Sequence, residues 1–268
     1  MVRLPAIFVS HGSPMLALGG GDTGTAWRGL AAGLPRPRAV VVASAHWLTS
    51  APAVGAAPQP ETIHDFGGFP EPLFRIQYPA PGEPAVARRA AELLSASGFE
   101  VHGVERGLDH GVWVPLREFY PQADVPVVPL ALQPRLGPEH HYRLGRALQA
   151  LRAEDVLVLG SGSLTHNLHE VRFEESGEIA PYVAEFQQWF AERLAEGDIE
   201  ALLDYRRRAP QAARAHPTEE HLLPLFVALG AAGEGAVADR RFGGVTHEVL
   251  AMDVYQFTEP AMAAARAA

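Results

Sequence analysis

Five short apolar segments alternate with helical patterns along the chain, and this alternation constrains the fold more than any other feature. The apolar segments have the length of buried strands, and they are Ala6–Val9, Ala39–Ala45, Val125–Leu132, Val156–Leu159 and Val249–Val254. Flanking Pro and Gly residues predict the main helices, which are Glu83–Ser97, Pro138–Arg152, Pro181–Glu196 and Glu219–Leu229. This order indicates an α/β fold with a central, mostly parallel or mixed sheet flanked by helices.

The domain organisation follows from the absence of a dividing segment. No linker or low-complexity tract interrupts the 268 residues, so a single domain, residues 1–268, is expected. The Ala- and Pro-rich segment Ala51–Pro60 is expected to be an exposed loop.

The composition restricts the chemistry that the chain can perform. It contains no Cys, and all 22 basic residues are Arg, which excludes thiolate, disulfide and Schiff-base chemistry. Because 12 His residues are present, a transition-metal site would be built from imidazole and carboxylate ligands. The net charge of −9 argues against a nucleic-acid partner. No apolar run approaches the roughly 18 residues of a membrane span, and Met1–Pro5 lacks a signal-peptide core, so a cytoplasmic protein without a membrane partner is expected.

Three of the predicted strands end in turns that carry a His residue. His11 follows the first strand, His46 follows the second, and His166 lies shortly after the strand at Val156–Leu159. Ligands of open α/β sheets bind beyond the carboxyl ends of the strands. If these strands are parallel neighbours, the three imidazoles converge on one rim and form a metal or acid–base site.

Other His residues lie in motifs with two interpretations each. His216 and His221 flank the approach to a helix, and spacing alone does not choose which of them points at the strand rim. Asp109 could orient His110 by a hydrogen bond, and the Gly-rich aromatic loop that begins at His64 could cover an aromatic substrate. No chemistry is expected of the remaining residues, which are His102, His140, His141, His169 and His247.

Together these segments resemble the class III (LigB-type) extradiol ring-cleavage dioxygenases, most closely their DOPA 4,5-dioxygenase-like branch. The matching segments follow the family's order over residues 10–221, and they are Ser10–Pro14, Ser44–Trp47, His64–Pro70, Asp109–Gly111 with Val114–Leu116, Gly160–Gly162 with His166–Leu168, and His216–Pro217 with Glu220–His221. Each segment is short, but six in order make a specific signal.

The resemblance implies a mononuclear non-haem metal at the strand rim. Its ligands would be His11, His46 and His221, the last of which stands where the wider family has a carboxylate. Fe²⁺ is expected for activity, and a set of three His residues should hold Zn²⁺ as readily.

The resemblance also implies the reaction, in which a catechol-type (3,4-dihydroxyphenyl) substrate is opened by O₂ to a muconic semialdehyde-type product. His166 would be the catalytic acid–base residue, and His110 would stabilise charge on oxygen. His216 and His64 would border the substrate. The alternative is a zinc-binding hydrolase or a non-catalytic metal-binding protein on the same scaffold, or a purely structural α/β protein. The sequence selects neither a particular catechol nor an oligomeric state.

Overall fold

The computed structural model describes residues 3–172 and 177–260. Its strands are β1 (Ala6–Ser10), β2 (Ala39–Leu48), β3 (Ala53–Gly55), β4 (His102–Val104), β5 (Val127–Leu132), β6 (Val156–Gly162), β7 (Val237–Phe242), β8 (Val245–Thr246), β9 (Leu250–Ala251) and β10 (Val254–Thr258). Its α-helices are α1 (Gly21–Ala32), α2 (Glu71–Phe74), α3 (Pro84–Ala96), α4 (His110–Phe119), α5 (Gly137–Leu148), α6 (Pro181–Glu196), α7 (Ile199–Leu203), α8 (Tyr205–Arg208), α9 (Ala212–Ala215) and α10 (Leu223–Ala232).

A mixed sheet of eight strands forms the centre of the fold, in the order β4-β3-β5-β2-β6-β1-β10-β7. The central strands β5, β2, β6 and β1 are parallel, whereas β10 is antiparallel to β1 and β3 is antiparallel to β5. Because β2, β6 and β1 are parallel neighbours, their carboxyl ends meet at one edge. The predicted α/β architecture with a mixed central sheet is therefore confirmed.

Helices cover both faces of the sheet. Side chains of successive strand residues alternate between two cores: in β1, Ala6 and Phe8 pack on one face, and Ile7 and Val9 on the other. The first face lies against α3, α5, α6 and α10, and the second lies against α1 and α4. Burial on both faces explains why these strands are continuous apolar runs in the sequence.

The helix α10 is apolar all around because it is buried between the sheet and α5. A Cβ at Gly145 would lie 2.1 Å from the backbone oxygen of Val227, so only glycine permits this close approach of α5. The buried guanidinium of Arg152 donates to the backbone oxygens of Ala231 and Ala232 at the end of α10. Neither α10 nor any other helix in the described part of the chain has the length and apolarity to cross a bilayer.

Three local predictions are wrong. The segment Ala51–Pro60 is not an exposed loop, because it contains β3, which is buried and paired with β4 and β5. The run Val249–Val254 is not one strand: its residues divide between the end of the β8–β9 hairpin and the start of β10. The last predicted helix begins at Leu223 rather than Glu219, which leaves residues 219–222 in a turn.

Candidate metal centre

Imidazole rings from five parts of the chain meet at the edge where β1, β2 and β6 end. His11 directly follows β1, His46 lies near the end of β2, and His166 follows β6. His110 is the first residue of α4, and His221 lies in the turn before α10. All five rings line one cavity. The parallel pairing of the three strands thus brings together side chains that are far apart in the sequence.

The three predicted metal ligands lie close enough to share one ion. Their ring centroids are 4.9 Å (His11–His46), 5.0 Å (His46–His221) and 5.5 Å (His11–His221) apart. Imidazoles that bind one ion at about 2.1 Å have centroids roughly 5 Å apart. The Nε2 atoms of His11 and His46 lie 3.0 Å from each other, and the buried Nε2 of His221 has no hydrogen-bond partner among the described residues. These donor atoms fit a metal ion.

His110 is a second candidate for the third ligand. One ring nitrogen from each of His11, His46 and His110 lies within 4.8 Å of the other two, and the centroids of His46 and His110 are 3.9 Å apart. A further group with the same spacing consists of His166, Glu220 and His221. The rim therefore offers more nitrogen donors than one ion uses, and the groups behind each ring determine which nitrogen it presents.

The hydrogen bond between His11 and Ser161 determines which ring nitrogen of His11 is free to bind an ion. Nδ1 of His11 lies 3.1 Å from the hydroxyl of Ser161, and that hydroxyl donates its own hydrogen to the backbone oxygen of Gly111. Ser161 therefore accepts from Nδ1–H of His11. This tautomer leaves a lone pair on Nε2, which is the atom that faces His46.

His221 is positioned by a close approach of its turn to β6. The backbone nitrogen of Ser163 donates to the backbone oxygen of His221 at 2.8 Å, and a Cβ at Gly162 would lie 2.0 Å from that oxygen. Nδ1 of His221 lies 3.0 Å from Oε1 of Glu220, a carboxylate that can only accept. The hydrogen therefore sits on Nδ1, and Nε2 again remains available.

The carboxylate behind His46 and His110 belongs to Asp65, whose role the sequence did not reveal. Oδ2 of Asp65 lies 3.3 Å from Nδ1 of His46, and Oδ1 lies 3.0 Å from Nδ1 of His110 while it accepts from the backbone nitrogen of His110 at 2.8 Å. The expected Asp109–His110 hydrogen bond is not among those that the described residues form, because Asp109 accepts from Ser44 instead. One carboxylate thus orients two imidazoles.

The backbone of β2 is irregular where it carries His46. The pairing register with β5 shifts between Ala43 and Leu48, as in a β-bulge. The hydroxyl of Ser44 accepts from the backbone nitrogen of His46 at 3.2 Å inside this irregular stretch. Bulges redirect side chains near functional sites, and here the shift accompanies the turn of His46 toward the rim.

Burial keeps four of the five imidazoles, those of His11, His46, His166 and His221, neutral. It lowers the pKa of His46 to about 3 and that of His166 to about 4, because the charged ring is desolvated. The pKa values of His11 and His221 also lie well below the usual 6.5, first through burial and then through the neighbouring rings. Only neutral imidazole binds a metal ion, so the cluster is in its ligand form near neutral pH.

The rings open onto a cavity of about 420 Å³ whose remaining wall is mostly apolar. This wall includes Phe66 and Phe69 from the predicted aromatic loop, together with Leu168, Val171 and Leu250. His166 also faces the cavity, and its ring stacks on that of His221 with a centroid distance of 3.4 Å and an interplanar angle of 8°. An acid–base role for His166 remains a prediction.

Two residues expected to border the substrate lie behind the wall instead. Nε2 of His64 hydrogen-bonds the backbone oxygen of Ile76, and its ring packs against Phe66. His216 is fully buried, with Nε2 on the backbone oxygen of Leu164, and burial lowers its pKa to about 3. Neither lines the cavity. His64 thus supports the aromatic loop and His216 packs in the core, and contact of either residue with a substrate remains a prediction.

His247 also lines the cavity, although the sequence did not indicate a functional role for it. It lies in the β8–β9 hairpin turn, where His247 and Glu248 have φ values of +52° and +64°. Turns with this left-handed conformation usually contain Gly or Asn. Because this turn contains His and Glu instead, the sequence did not indicate it.

Comparison with known proteins places this geometry in a family. Residues 5–255 match the family described as "Catalytic LigB subunit of aromatic ring-opening dioxygenase". The chain belongs to this family. A "4,5-DOPA dioxygenase extradiol" of Beta vulgaris is 41% identical over 257 residues, covering 94% of this chain and 95% of the relative. The protein of the same name from Escherichia coli K12 is 40% identical over 232 residues, which is 85% of each chain. The crystal structure of the uncharacterized protein JW3007 from Escherichia coli K12 has a TM-score of 0.82 and 33% identity, covering 95% of this chain and 99% of that one.

Family membership confirms several predictions. The protein is a ring-cleaving extradiol dioxygenase of the LigB family, as the motifs predicted. Such enzymes depend on a metal ion, act on a small aromatic substrate and use O₂. The family thus accounts for the imidazole cluster at the rim.

Proposed function

We propose that the protein is an Fe²⁺-dependent enzyme that opens the ring of a catechol-type (3,4-dihydroxyphenyl) substrate with O₂ to a muconic semialdehyde-type product. The observation that carries this proposal is the clustering of the His11, His46 and His221 rings, whose centroids lie 4.9–5.5 Å apart, at a mostly apolar cavity. The names of the plant and bacterial relatives support a catechol as the substrate class.

We assign the metal to His11, His46 and His221, the ligand set that the family resemblance implies. Nδ1 of each ring lies near a hydroxyl or carboxylate, which leaves Nε2 free, although His110 shares this arrangement. A bound Fe²⁺ supplies the O₂ chemistry that no side chain in the cavity provides. Three neutral imidazoles suit Zn²⁺ equally well, so zinc can occupy these ligands without supporting oxidation.

The remaining side chains bind the substrate and move its proton. The neutral imidazole of His166 lies at the cavity wall and accepts a proton from a phenolic hydroxyl. His110 also faces the cavity, with Nδ1 near Asp65, and its Nε2 is left to bind a substrate oxygen. Phe66 and Phe69 form an apolar wall for the aromatic ring and exclude water from it.

The test is metal replacement. Metal-free protein is reconstituted without oxygen with either Fe²⁺ or Zn²⁺, and O₂ uptake is followed with a panel of catechols. We expect the Fe²⁺ form to consume one O₂ per ring-opened product and the Zn²⁺ form to consume none. Absence of O₂ uptake by protein with one bound Fe²⁺ would contradict the proposal and favour the zinc-based alternatives.

The choice of the third ligand is tested separately. His221→Ala should lose stoichiometric metal in equilibrium dialysis, whereas His110→Ala should retain it, because the proposal assigns His110 to the substrate oxygen rather than to the ion. The reverse result would transfer the ligand role to His110.

A further inference from the structure

We propose that His216 is a positioning residue for His166, which holds the backbone that carries the acid–base imidazole and affects the reaction through that residue. This inference rests on the proposed function, because it assigns a further role in the same site. His216 is not among the residues that line the cavity, yet its ring is bonded to the segment that leads to His166.

The segment between β6 and His166 is held at both backbone groups of Leu164. The nitrogen of Leu164 donates to the hydroxyl of Ser10 at 3.1 Å, and the oxygen of Leu164 accepts from Nε2 of His216 at 2.8 Å. A carbonyl oxygen can only accept, so the ring hydrogen of His216 sits on Nε2. Ser10 directly precedes His11, so the same residue also connects the segment to a proposed metal ligand.

The backbone of His166 is bonded to the residue that precedes His216. The nitrogen of His166 donates to the oxygen of Ala215 at 2.8 Å. Ala215 is the last residue of α9, and the ring of His216, directly after it, bonds the oxygen of Leu164. Two adjacent residues therefore fix the segment at His166 itself and two residues before it.

His216 is in turn held firmly by its surroundings. Its side chain is fully buried, and its ring centroid lies 5.6 Å from that of Phe186 in α6 and 6.4 Å from that of Tyr205 in α8. The guanidinium of Arg206 donates to the backbone oxygen of His216. A side chain that packing locks in this way can fix the position of the group it bonds.

The position of the His166 ring matters because a general base acts only within hydrogen-bond reach of the proton that it accepts. The ring stacks on that of His221 with a centroid distance of 3.4 Å, so it lies beside a proposed metal ligand. A misplacement of about 1 Å, caused by a residue distant from the chemistry, can lower a rate by about 100-fold. Loss of the bond between His216 and Leu164 should therefore slow turnover through a shift of His166.

The test compares His216→Leu, which removes the donor, with His216→Gln, whose amide can donate to the same oxygen. In the Fe²⁺ form we expect kcat to fall about 10- to 100-fold in His216→Leu and to stay within about threefold of normal in His216→Gln, with KM little changed. The Zn²⁺ affinity of both variants should match that of the unmodified protein. His141→Leu is the matched control and should keep its kcat, because His141 is equally buried and donates to a backbone oxygen, that of Gly137, but does not line the cavity.

Two further measurements separate positioning from general packing. In a His166→Ala background, His216→Leu should change kcat by less than about twofold, because a residue that acts through His166 then has no ring to position. In NMR spectra of the Zn²⁺-loaded protein, the nuclear Overhauser contact between the rings of His166 and His221 should weaken in His216→Leu. The contact should persist in His216→Gln and His141→Leu.

Full kcat in His216→Leu, an equal loss in the His166→Ala background, a loss that His141→Leu shares, or an unchanged ring contact would overturn this inference. If His216→Leu does not fold, His216→Asn replaces it, because its amide is one methylene shorter than that of Gln. A kcat of His216→Asn equal to that of His216→Gln would then count against the role. If the unmodified protein opens no catechol, the proposed function fails, and the ring contact alone decides whether His216 positions His166.

Discussion

Each of the three imidazoles assigned to the metal has a hydroxyl or carboxylate oxygen within 3.3 Å of Nδ1. Ser161 serves His11, Asp65 serves His46, and Glu220 serves His221. An acceptor at Nδ1 fixes the hydrogen there and increases the basicity of Nε2. At the scale of single residues, the acceptors therefore determine which nitrogen can bind an ion.

Replacement of Asp65 should weaken metal binding without unfolding the protein. In Asp65→Asn the side chain carries no negative charge and one of its two acceptor oxygens becomes a donor, so His46 and His110 can no longer share a carboxylate. We expect Zn²⁺ affinity, measured by chelator competition, to fall about 10- to 100-fold. In ¹⁵N spectra of the metal-free protein, the Nδ1–H tautomer of His46 should lose population.

Asp109→Asn is the control for this substitution, because Asp109 is buried nearby but bonds Ser44 and Arg106 rather than a ring. Its Zn²⁺ affinity should match that of the unmodified protein. Equal losses in both variants would assign the effect of Asp65 to general packing.

His166→Ala should lose turnover and keep its metal. Loss of a general acid–base residue lowers kcat by about 10²- to 10⁴-fold. Because His166 is not in the assigned ligand set, Fe²⁺ content should stay stoichiometric, and added imidazole should restore part of the rate. A variant with full ring-cleaving activity would refute the acid–base role.

The His residues of the cluster and their order along the chain could be predicted from the sequence. The oxygen atoms that lie beside Nδ1 of each ring could not. Strand ends with His, Gly and Ser indicated His11, His46 and His166, whereas no role was assigned to Asp65 within the Gly-rich aromatic loop that begins at His64. Its role depends on how the loop at residues 64–70 folds against α4, which is a tertiary contact. The buried position of His216 is likewise fixed by packing against Phe186 and is invisible in the local pattern.

At the scale of elements, the contact between β6 and the turn before α10 is the tightest constraint on the site. Gly162→Ala would place Cβ 2.0 Å from the backbone oxygen of His221, so the turn would have to move. We expect a destabilisation of about 3 kcal/mol in urea unfolding, with weaker Zn²⁺ binding.

Gly29→Ala provides the comparison, since Gly29 lies in α1 with open space around it. This substitution should stabilise the protein by about 0.5–1 kcal/mol without a change in metal affinity. A tolerated Gly162→Ala with intact Zn²⁺ binding would show that the turn is not fixed by this contact.

The buried His141 of α5 should make the free energy of unfolding depend on pH. His141, buried on α5, accepts from the backbone nitrogen of Gln133 and donates to Gly137, and burial lowers its pKa to about 4. The unfolded chain takes up a proton near pH 6.5, so stability falls as pH drops from about 6.5 toward 4. His141 alone should contribute a loss of about 2 kcal/mol between pH 7 and pH 5. His141→Gln, less stable at pH 7, should show a smaller loss in urea unfolding; an unchanged loss would contradict the assignment.

The elements that the sequence predicted well are those with strong local signals. Apolar runs gave the central strands, and Pro and Gly gave the bounds of α6, Pro181–Glu196, without error. The strand β3 was missed because it has only three residues and forms through pairing with β4 and β5. The strand β10 was displaced because Gln256 and Thr258 interrupt its apolar pattern, although both are buried.

At the scale of the whole molecule, the bound metal should contribute to stability. An ion that binds only the folded protein stabilises it by about 4 kcal/mol at a thousandfold excess over Kd. Removal of the metal with a chelator should therefore lower Tm in a calorimetric scan, and addition of Zn²⁺ should restore it. In His46→Ala, neither the chelator nor added Zn²⁺ should change Tm. A change in the Tm of this variant would show that the stabilising ion binds elsewhere.

The imidazoles of the rim come from residues 11 to 221, and the sheet brings them together with α4 and the turn before α10. During synthesis, the first two are made long before the third. A nascent chain on the ribosome therefore has no complete site until the segment that carries His221 has emerged and docked against β6. Under the proposed ligand set, the ion can therefore bind only after the chain has folded.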